Sequence, residues 1–485
     1  MSDYKHQIET QRDASISTNS VTGSYNVQVI VGTAPINQSK NMADVINRPV
    51  VVRSMQDVIE NFGWSDDYEK YTLMQAAQMS FRSFPVAPVI MINVLDPSKV
   101  EHTVAVAEKE VTLIKSGAII SDEGVLADTL VITAGEIKAE KDKDYAATVS
   151  ASGVVIAALP GGALDGATVI NAGYQKLKPD GVTAEDIIGG LDENGVRTGI
   201  ELIDEIYSQL GILPGILTAP GFSGNPMVAM ALEAKAELAG DFSNAIAIVD
   251  ISTDTATKIT DVAAAKDALG VKSRWVTACW PKVIASGKII EMSVAVSALL
   301  QYTCIKNNNI PCESPDNLDI GIDGLVLSDG TEVKITQAQV NDYLNKNGIL
   351  SCIYMNGWKC WGNNTTAYPE EEAPNSRFIK NVLIANYLEN RFKTEHLSKI
   401  GRQATLKKIE SIVTEFNSLI GALVPDYLAG GEIIFDKKDN PIQKLRMGHL
   451  TFWTRYADYT PIEYILNKFT WDEQILEDAL TGGEE

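Results

Sequence analysis

Two parts of the chain alternate short Val/Ile-rich runs, bounded by glycine or proline, with stretches whose apolar residues recur every three or four positions. YNVQVIVGTAP breaks from a polar opening of residues 1 to 24 into a strand bounded by Gly32 and Pro35. RPVVVRS, residues 48 to 54, predicts a second strand, and SMQDVIENFG a short helix ending at Gly63. KYTLMQAAQMSFRSF has helical spacing, and APVIMINVL, residues 87 to 95, returns to a buried strand. Strands alternating with helices predict an α/β layer.

From about 100 to 183 the pattern changes to short alternating runs, VTLIKSGAII, DTLVITAG, DYAATVSASGVVIAALP and ATVINAGY, separated by Gly and Asp-Gly turns. This predicts an all-β module inserted into a discontinuous α/β domain. The earlier pattern resumes with AEDIIGGLDENGVRTGIELIDEIYSQLG, GILTAPGFSG as strand and turn, NPMVAMALEAKAELAG as helix and NAIAIVDIS as strand. SVAVSALLQYTCIKNNN reads as a helix, and TQAQVNDYLNKNGILSCIYMNGWKCWG as a helix followed by a hairpin. SRFIKNVLIANYLENRFKTEHL and TLKKIESIVTEFNSLIGALV read as amphipathic helices. The end, MGHLTFWTRYADYTPIEYILNKFTWDEQIL, reads as two extended segments joined at Thr460-Pro461. The expected organisation is an arm (1–24), α/β core (25–99), inserted β-rich outer module (100–183), second core part (184–370), C-terminal helical domain (371–448), and closing strand and arm (449–485).

At 485 residues and 45% hydrophobic, the chain can bury a large core, and the length suggests about three domains. A net charge of -22 opposes general binding to nucleic acid or anionic lipid. The polar N-terminus does not read as a signal peptide, and no apolar run approaches a membrane span, so synthesis in a cytosol is expected. Cys279, Cys304, Cys312, Cys352 and Cys360 form no C-x-x-C pair, which predicts reduced, mostly buried thiols.

Candidate chemistry thins out on inspection. APGFSGNP, residues 219 to 226, sits between a predicted strand and helix, where a hydrolase would hold a nucleophile such as Ser223. Asn225, however, occupies the place of the second glycine. Neither VGTAP nor IGGLDENG completes a dinucleotide fingerprint, and there is no phosphate-binding G-K-[ST]. His6, His102, His396 and His449 lie far apart, and the Glu370–Glu372 run reads as a solvated loop. No catalytic residue, metal ligand or cofactor is expected. Arg391, Lys393, Lys399, Arg402, Lys407 and Lys408 face only Glu395 and Glu410 within 391 to 410, a local basic stretch in an acidic chain that reads either as a surface for an acidic partner or as an ordinary solvated face. Trp358, Cys360 and Trp361 crowd into one turn ahead of Gly362-Asn363-Asn364-Thr365.

NRPVVV near the start, then ENFG, APGF, CWP at 279 to 281, GWKCWGNNT and ADYTPIEYI follow one another in the order seen in contractile-tail sheath proteins. The chain resembles a bacteriophage tail sheath protein of the myovirus type, also found in phage-tail-like bacteriocins. The resemblance covers the chain apart from roughly 100 to 183. At Asn364 it departs from the family, whose members often carry Arg there.

The resemblance implies a structural protein without enzymatic activity. It would form stacked hexameric rings around an inner tail tube, meeting baseplate and terminator proteins, and would contract to drive the tube through a cell envelope. It would belong to a virion tail or similar particle assembled in a bacterial cytoplasm. Both termini would act as arms adding strands to a sheet in neighbouring subunits, through Ile8, Ile16 and Val21 at one end and Tyr464, Ile465, Leu466 and Phe469 at the other. The six basic residues would face the tube. Trp358, Trp361, Gly362, Asn363 and Thr365 would form a structural joint, with Asn363 and Thr365 satisfying the turn's amides. The competing readings are a hydrolase using Ser223 and a β-domain adhesin or decoration protein.

Overall fold

The computed structural model describes residues 25–150, 153–240 and 242–482. The first α/β stretch supplies β1 (Val27–Gly32), β2 (Pro49–Val52) and β3 (Val89–Asn93). The inserted stretch supplies β4 (Thr103–Thr112), β5 (Gly117–Ile120), β6 (Val131–Ala134), β7 (Ile137–Ala139), β8 (Tyr145–Ser150), β9 (Gly153–Ala158) and β10 (Val169–Leu177). Then follow β11 (Pro214–Thr218), β12 (Ile246–Asp250) and β13 (Val276–Cys279). A small antiparallel sheet of β14 (Lys282–Ala285), β15 (Lys288–Ile290) and β16 (Gly324–Val326) precedes the hairpin of β17 (Ile349–Tyr354) and β18 (Trp358–Trp361).

The main sheet has eight strands in the order β18, β17, β13, β12, β11, β1, β3, β2. The strands from β17 to β3 run parallel, while β2 and β18 close the two edges antiparallel. Every residue of β1, β3, β11, β12 and β13 is buried, as expected of strands covered on both faces and legible as unbroken apolar runs. The helices Pro226–Glu237 and Met292–Lys306 pack on this sheet. The second is buried along nearly its whole length, and its polar Gln301 accepts from Gln28 Nε2 (2.8 Å) and donates to the Pro88 carbonyl (2.7 Å). These bonds satisfy the Gln301 amide, while Gln28 Oε1 is buried without a partner among the described residues.

The inserted strands form two sheets, β4-β10-β6-β7 and β5-β9-β8, around a core that includes Ile132, Ile156, Leu164 and Ile170. Their root is closely tied to the main domain. Leu126 and Leu177 belong to the main hydrophobic core, and Lys178 N–H donates to the His102 carbonyl (2.7 Å). A Cβ at Gly181 would lie 1.9 Å from the Glu101 carbonyl oxygen, so the two connectors can approach only because that residue is glycine. Asp186 caps the helix Ala184–Ile188 in a reciprocal box with Thr183 and accepts from Lys99 Nζ (2.5 Å) and His102 Nε2 (3.3 Å), which joins both connectors.

The C-terminal part packs the helices Ile379–His396 and Leu406–Leu423 with an antiparallel hairpin of β19 (Leu428–Ile434) and β20 (Trp453–Asp458). Leu406–Leu423 is amphipathic as expected, with Ile409, Ile412, Phe416, Ile420 and Leu423 inward. Ile379–His396 is not a plain amphipathic helix, because Lys380, Asn381, Asn386 and Asn390 are buried along it. The end of the chain also differs from the expectation of two extended segments. Residues 459–472 carry no regular structure, but Glu473–Thr481 is a helix. The Asp472 side chain accepts from Gln474 N–H, and Ile475, Leu476, Ala479 and Leu480 recur with helical spacing.

Candidate assembly site

The tryptophan-rich clump is the edge hairpin of the main sheet and the turn that follows it. Cys360 pairs with Cys352 across the hairpin and both are fully buried; Trp358 meets Tyr354 edge-on at 5.6 Å. The outer edge of β18 is covered by its own chain: Asn317 N–H donates to the Cys360 carbonyl (2.7 Å) and Cys360 N–H to the Leu318 carbonyl (2.9 Å). Gly362 has φ +124°, and a Cβ there would fall 2.7 Å from the Asn345 side chain, so no other residue fits without displacement. Trp361 Nε1 donates to Asn341 Oδ1 (2.9 Å).

The turn's polar groups are satisfied differently from the expectation. Asn363 Nδ2 is buried with no partner among the described residues, and it is the Asn363 carbonyl that accepts, from Ile379 N–H (2.9 Å). Thr365 N–H donates to the Arg377 carbonyl and Thr365 Oγ1 to the Ser376 carbonyl, each at 2.7 Å. The bridging side chain is Asn364, which donates to the Asn345 carbonyl (3.2 Å) and accepts from Arg377 Nε (2.8 Å). Asn364 thus links the turn to the Arg377 guanidinium.

Arg377 continues to the C-terminal segment. Its Nη2 donates to both carboxylate oxygens of Glu463 (2.7 and 2.8 Å), while the guanidinium lies over Tyr368 (4.2 Å) and Phe378 (4.6 Å). Lys380, at the start of the long helix, donates to the Tyr459 carbonyl and pairs with Asp458 Oδ2 at 3.4 Å, both side chains being almost wholly buried. Past Glu463 the chain stands away from the body: Tyr464 is 77%, Ile465 80%, Leu466 61% and Phe469 91% exposed. At the other end, Tyr25 packs edge-on against Tyr387 (4.8 Å) beneath the Arg391 guanidinium. Ile8, Ile16 and Val21 lie outside the described residues.

The β19–β20 hairpin offers an edge. Asn417 on the neighbouring helix donates to the Ile433 carbonyl (3.1 Å) and accepts from Ile433 N–H (2.8 Å), acting as a strand partner would on the outer side of β19. Ile433 is registered opposite Thr454, so the backbone groups of Thr454, and by alternation those of Tyr456, point away from β19 along the outer side of β20. Trp453 to Ala457 are all exposed, and among the described residues no backbone partner occupies that side.

The six basic residues do not form one free surface. Arg391 is bound to Glu395 and to the Tyr387 hydroxyl, Lys393 donates to Asn244 Oδ1 (2.5 Å), and Lys399 pairs with Glu415. Arg402, Lys407 and Lys408 are exposed. Sequence reading missed this division because Asn244 and Glu415 are remote in the chain from the cations they hold.

Ser223 lies at the carboxyl end of β11, by the point where neighbours of β1 diverge to opposite sides, the usual ligand crevice of such sheets. It is fully buried, donates from Oγ to Asp250 Oδ2 (3.0 Å) and accepts from Asp250 N–H (2.9 Å). Ser293 donates from its backbone (2.8 Å) and Oγ (2.5 Å) to the same carboxylate. Burial and the nearby Glu291 carboxylate push Asp250 up to about 7 against these donors. The Ser223 hydroxyl is therefore held in both directions by Asp250 and is closed off from solvent. Cys279, Cys304, Cys352 and Cys360 are buried too, and burial pushes the Cys304 thiol up to about 12.

The built features are therefore a fastened chain segment, an open strand edge and a crevice whose central carboxylate is already bonded by the chain's own serines. No family model matches the chain. It is 27% identical, over 98% of both chains, to the tail sheath protein of Burkholderia phage BcepMu. Over 59% of its length it is 24% identical to the tail sheath protein of Escherichia phage P2, covering 69% of that protein. Its fold matches a chain of the anti-feeding prophage baseplate (TM-score 0.58, 13% identity, 97% of this chain and 99% of that one). It also matches a chain of the contracted sheath complex of an extracellular contractile injection system (TM-score 0.57, 12% identity, 98% and 99%). Over almost its whole length the chain is thus similar to tail sheath proteins, and its mixed α/β core has the fold of contractile sheath assemblies.

Proposed function

We propose that copies of this chain polymerise by strand addition, each lending its C-terminal segment to the β20 edge of a neighbour, and that stacked rings built this way enclose an inner tube and contract around it. The observation that carries the reading is the pairing of an open edge at Thr454 and Tyr456 with an exposed apolar segment fastened only as far as Glu463. The backbone groups of Thr454 and Tyr456 could make four hydrogen bonds, two donated and two accepted, about 4 kcal/mol at roughly 1 kcal/mol net each. Burying side chains such as Leu466 or Phe469 against the neighbour would add about 1.5–3 kcal/mol apiece. Residues 1 to 24, polar and Ser/Thr-rich, would supply the second arm.

Non-enzymatic action, the tube, baseplate and terminator partners, and assembly in a bacterial cytoplasm follow from the same reading. Arg402, Lys407 and Lys408 remain the cations available to an acidic tube surface. The inserted module would face outward.

Leu466→Pro tests the joint, since proline removes one donor and disturbs pairing on both sides. Electron microscopy should then show folded monomers without tubes. Normal-length sheaths from Leu466→Pro would refute strand addition by this segment.

A further inference from the structure

The fastenings of both chain ends converge on one element, and we infer that the helix Ile379–His396 is the common anchor through which the two arms are coupled to the sheet. Lys380, in its first turn, holds Asp458 and the Tyr459 carbonyl, and Arg377, immediately before it, holds Glu463. Tyr387 and Arg391 hold Tyr25, where the described chain begins. Residues 380, 387 and 391 fall within an arc of roughly 40° on a helix of 3.6 residues per turn. Both roots therefore lie along one stripe, separated by roughly 10–16 Å of helix axis.

An adjacent stripe fixes the helix to the sheet through side chains that an ordinary core helix would not bury. Asn386 Nδ2 donates to the Ala245 carbonyl (3.0 Å), and Asn390 both donates to the Asn244 carbonyl (2.8 Å) and accepts from Asn244 N–H (2.9 Å). Lys393 Nζ closes the row on Asn244 Oδ1. Residues 244 and 245 lead directly into β12, a central strand. These directional bonds resist sliding of the helix along its axis in a way that apolar contacts do not, since a shift of one residue breaks all of them together. A pull on either arm in the assembled state passes into this helix and from it into the sheet, so the two arms of one subunit share a single rigid support. Asn386 and Asn390 are thus positioning residues for the arms, although they touch neither.

This inference rests on the arm reading, and its test separates the two. Amide exchange is followed by mass spectrometry in the full-length monomer of wild type, Asn386→Ala and Asn390→Ala, with Glu463→Gln as a surface control. Loss of either asparagine should speed exchange about tenfold at both roots, near 26–28 and near 458–463, while the β4–β10 module is unchanged. Glu463→Gln should affect only the C-terminal root. A rise confined to one root, or none at either, overturns the common anchor. If an asparagine variant fails to fold, Lys393→Gln, at a half-buried position on the same row, replaces it with the same expectation. Separately, normal-length sheaths from Leu466→Pro would remove the arm reading while leaving the exchange result standing.

Discussion

The buried pair of Lys380 and Asp458 is the most consequential single contact at the C-terminal root, and its removal can be sized. The two side chains are 7% and 10% exposed, and Lys380 also serves the Tyr459 carbonyl. Lys380→Met keeps the length of the aliphatic stem but leaves the carboxylate and that carbonyl buried without their donor. Breaking a buried pair from one side destabilises by about 3–5 kcal/mol, because the surviving charge is uncompensated. Asp458→Asn should cost less, since the amide oxygen can still accept from Lys380. The double variant Lys380→Met/Asp458→Asn should recover at least about 1 kcal/mol over Lys380→Met alone, because its buried partner is no longer charged. Urea unfolding read by hydrogen exchange at β19 and β20 reports on the right part of the molecule. A loss below about 0.5 kcal/mol for Lys380→Met, or strict additivity in the double variant, would refute the claim that this pair fastens the segment.

Further tests follow from other contacts. Asp250 has its folded pKa raised to about 7 from 3.8, so its contribution to stability is present below about 4 and is lost as pH rises through about 7. Between pH 5.5 and 8 wild type should lose about 2 kcal/mol that Asp250→Asn does not, at 1.36 kcal/mol per unit; parallel urea midpoints across that range would exclude the effect. Gly181→Ala should destabilise by about 1–3 kcal/mol through its clash with the Glu101 carbonyl and raise protease cleavage at the module root, whereas unchanged cleavage would show that the connectors can part. Replacing residues 100–183 by a Gly/Ser linker should lower the melting temperature of the remaining core, since Leu126, Leu177 and Val182 leave the main cluster with it, but not abolish tube formation. An unaltered melting temperature would make the module a true appendage.

The strands were the most legible part of the fold because a parallel sheet covered on both faces writes itself as continuous Val/Ile runs. The change to alternating runs near residue 100 was legible for the complementary reason: strands with one wet face alternate. What could not be read was pairing between remote residues. Nothing near Lys393 announces Asn244, and nothing near Glu463 announces Arg377, so a row of cations that looks like a surface in the sequence is partly internal wiring. The Trp-Gly-Asn-Asn-Thr turn stands out by its composition, but the side chain that bridges it to Asn345 and Arg377 is Asn364 rather than Asn363. The terminal helix was missed because proline and alternating aromatics up to residue 471 suggest extension, and a nine-residue helix begins only after Asp472.

The crevice at the carboxyl ends of the sheet explains why such a fold can serve as a mechanical part. In open α/β sheets this is where ligands bind, because strand order reverses there and the loops separate. Here Asp250 occupies it from β12, and its oxygens take donors from Ser223 on one side and from Ser293, at the start of a long buried helix, on the other. Lys282 and Glu291, paired at 2.7 Å, border the cleft of ≈ 330 Å³ that remains. A group that raises its own pKa by burial destabilises the isolated fold at neutral pH, yet it ties β12 to two loops and a helix by directional bonds. β12 is also the strand entered from Asn244 and Ala245, to which the helix Ile379–His396 is bonded. Rigidity at both ends of that strand is what a subunit needs if displacement of its termini is to move the whole core rather than deform it.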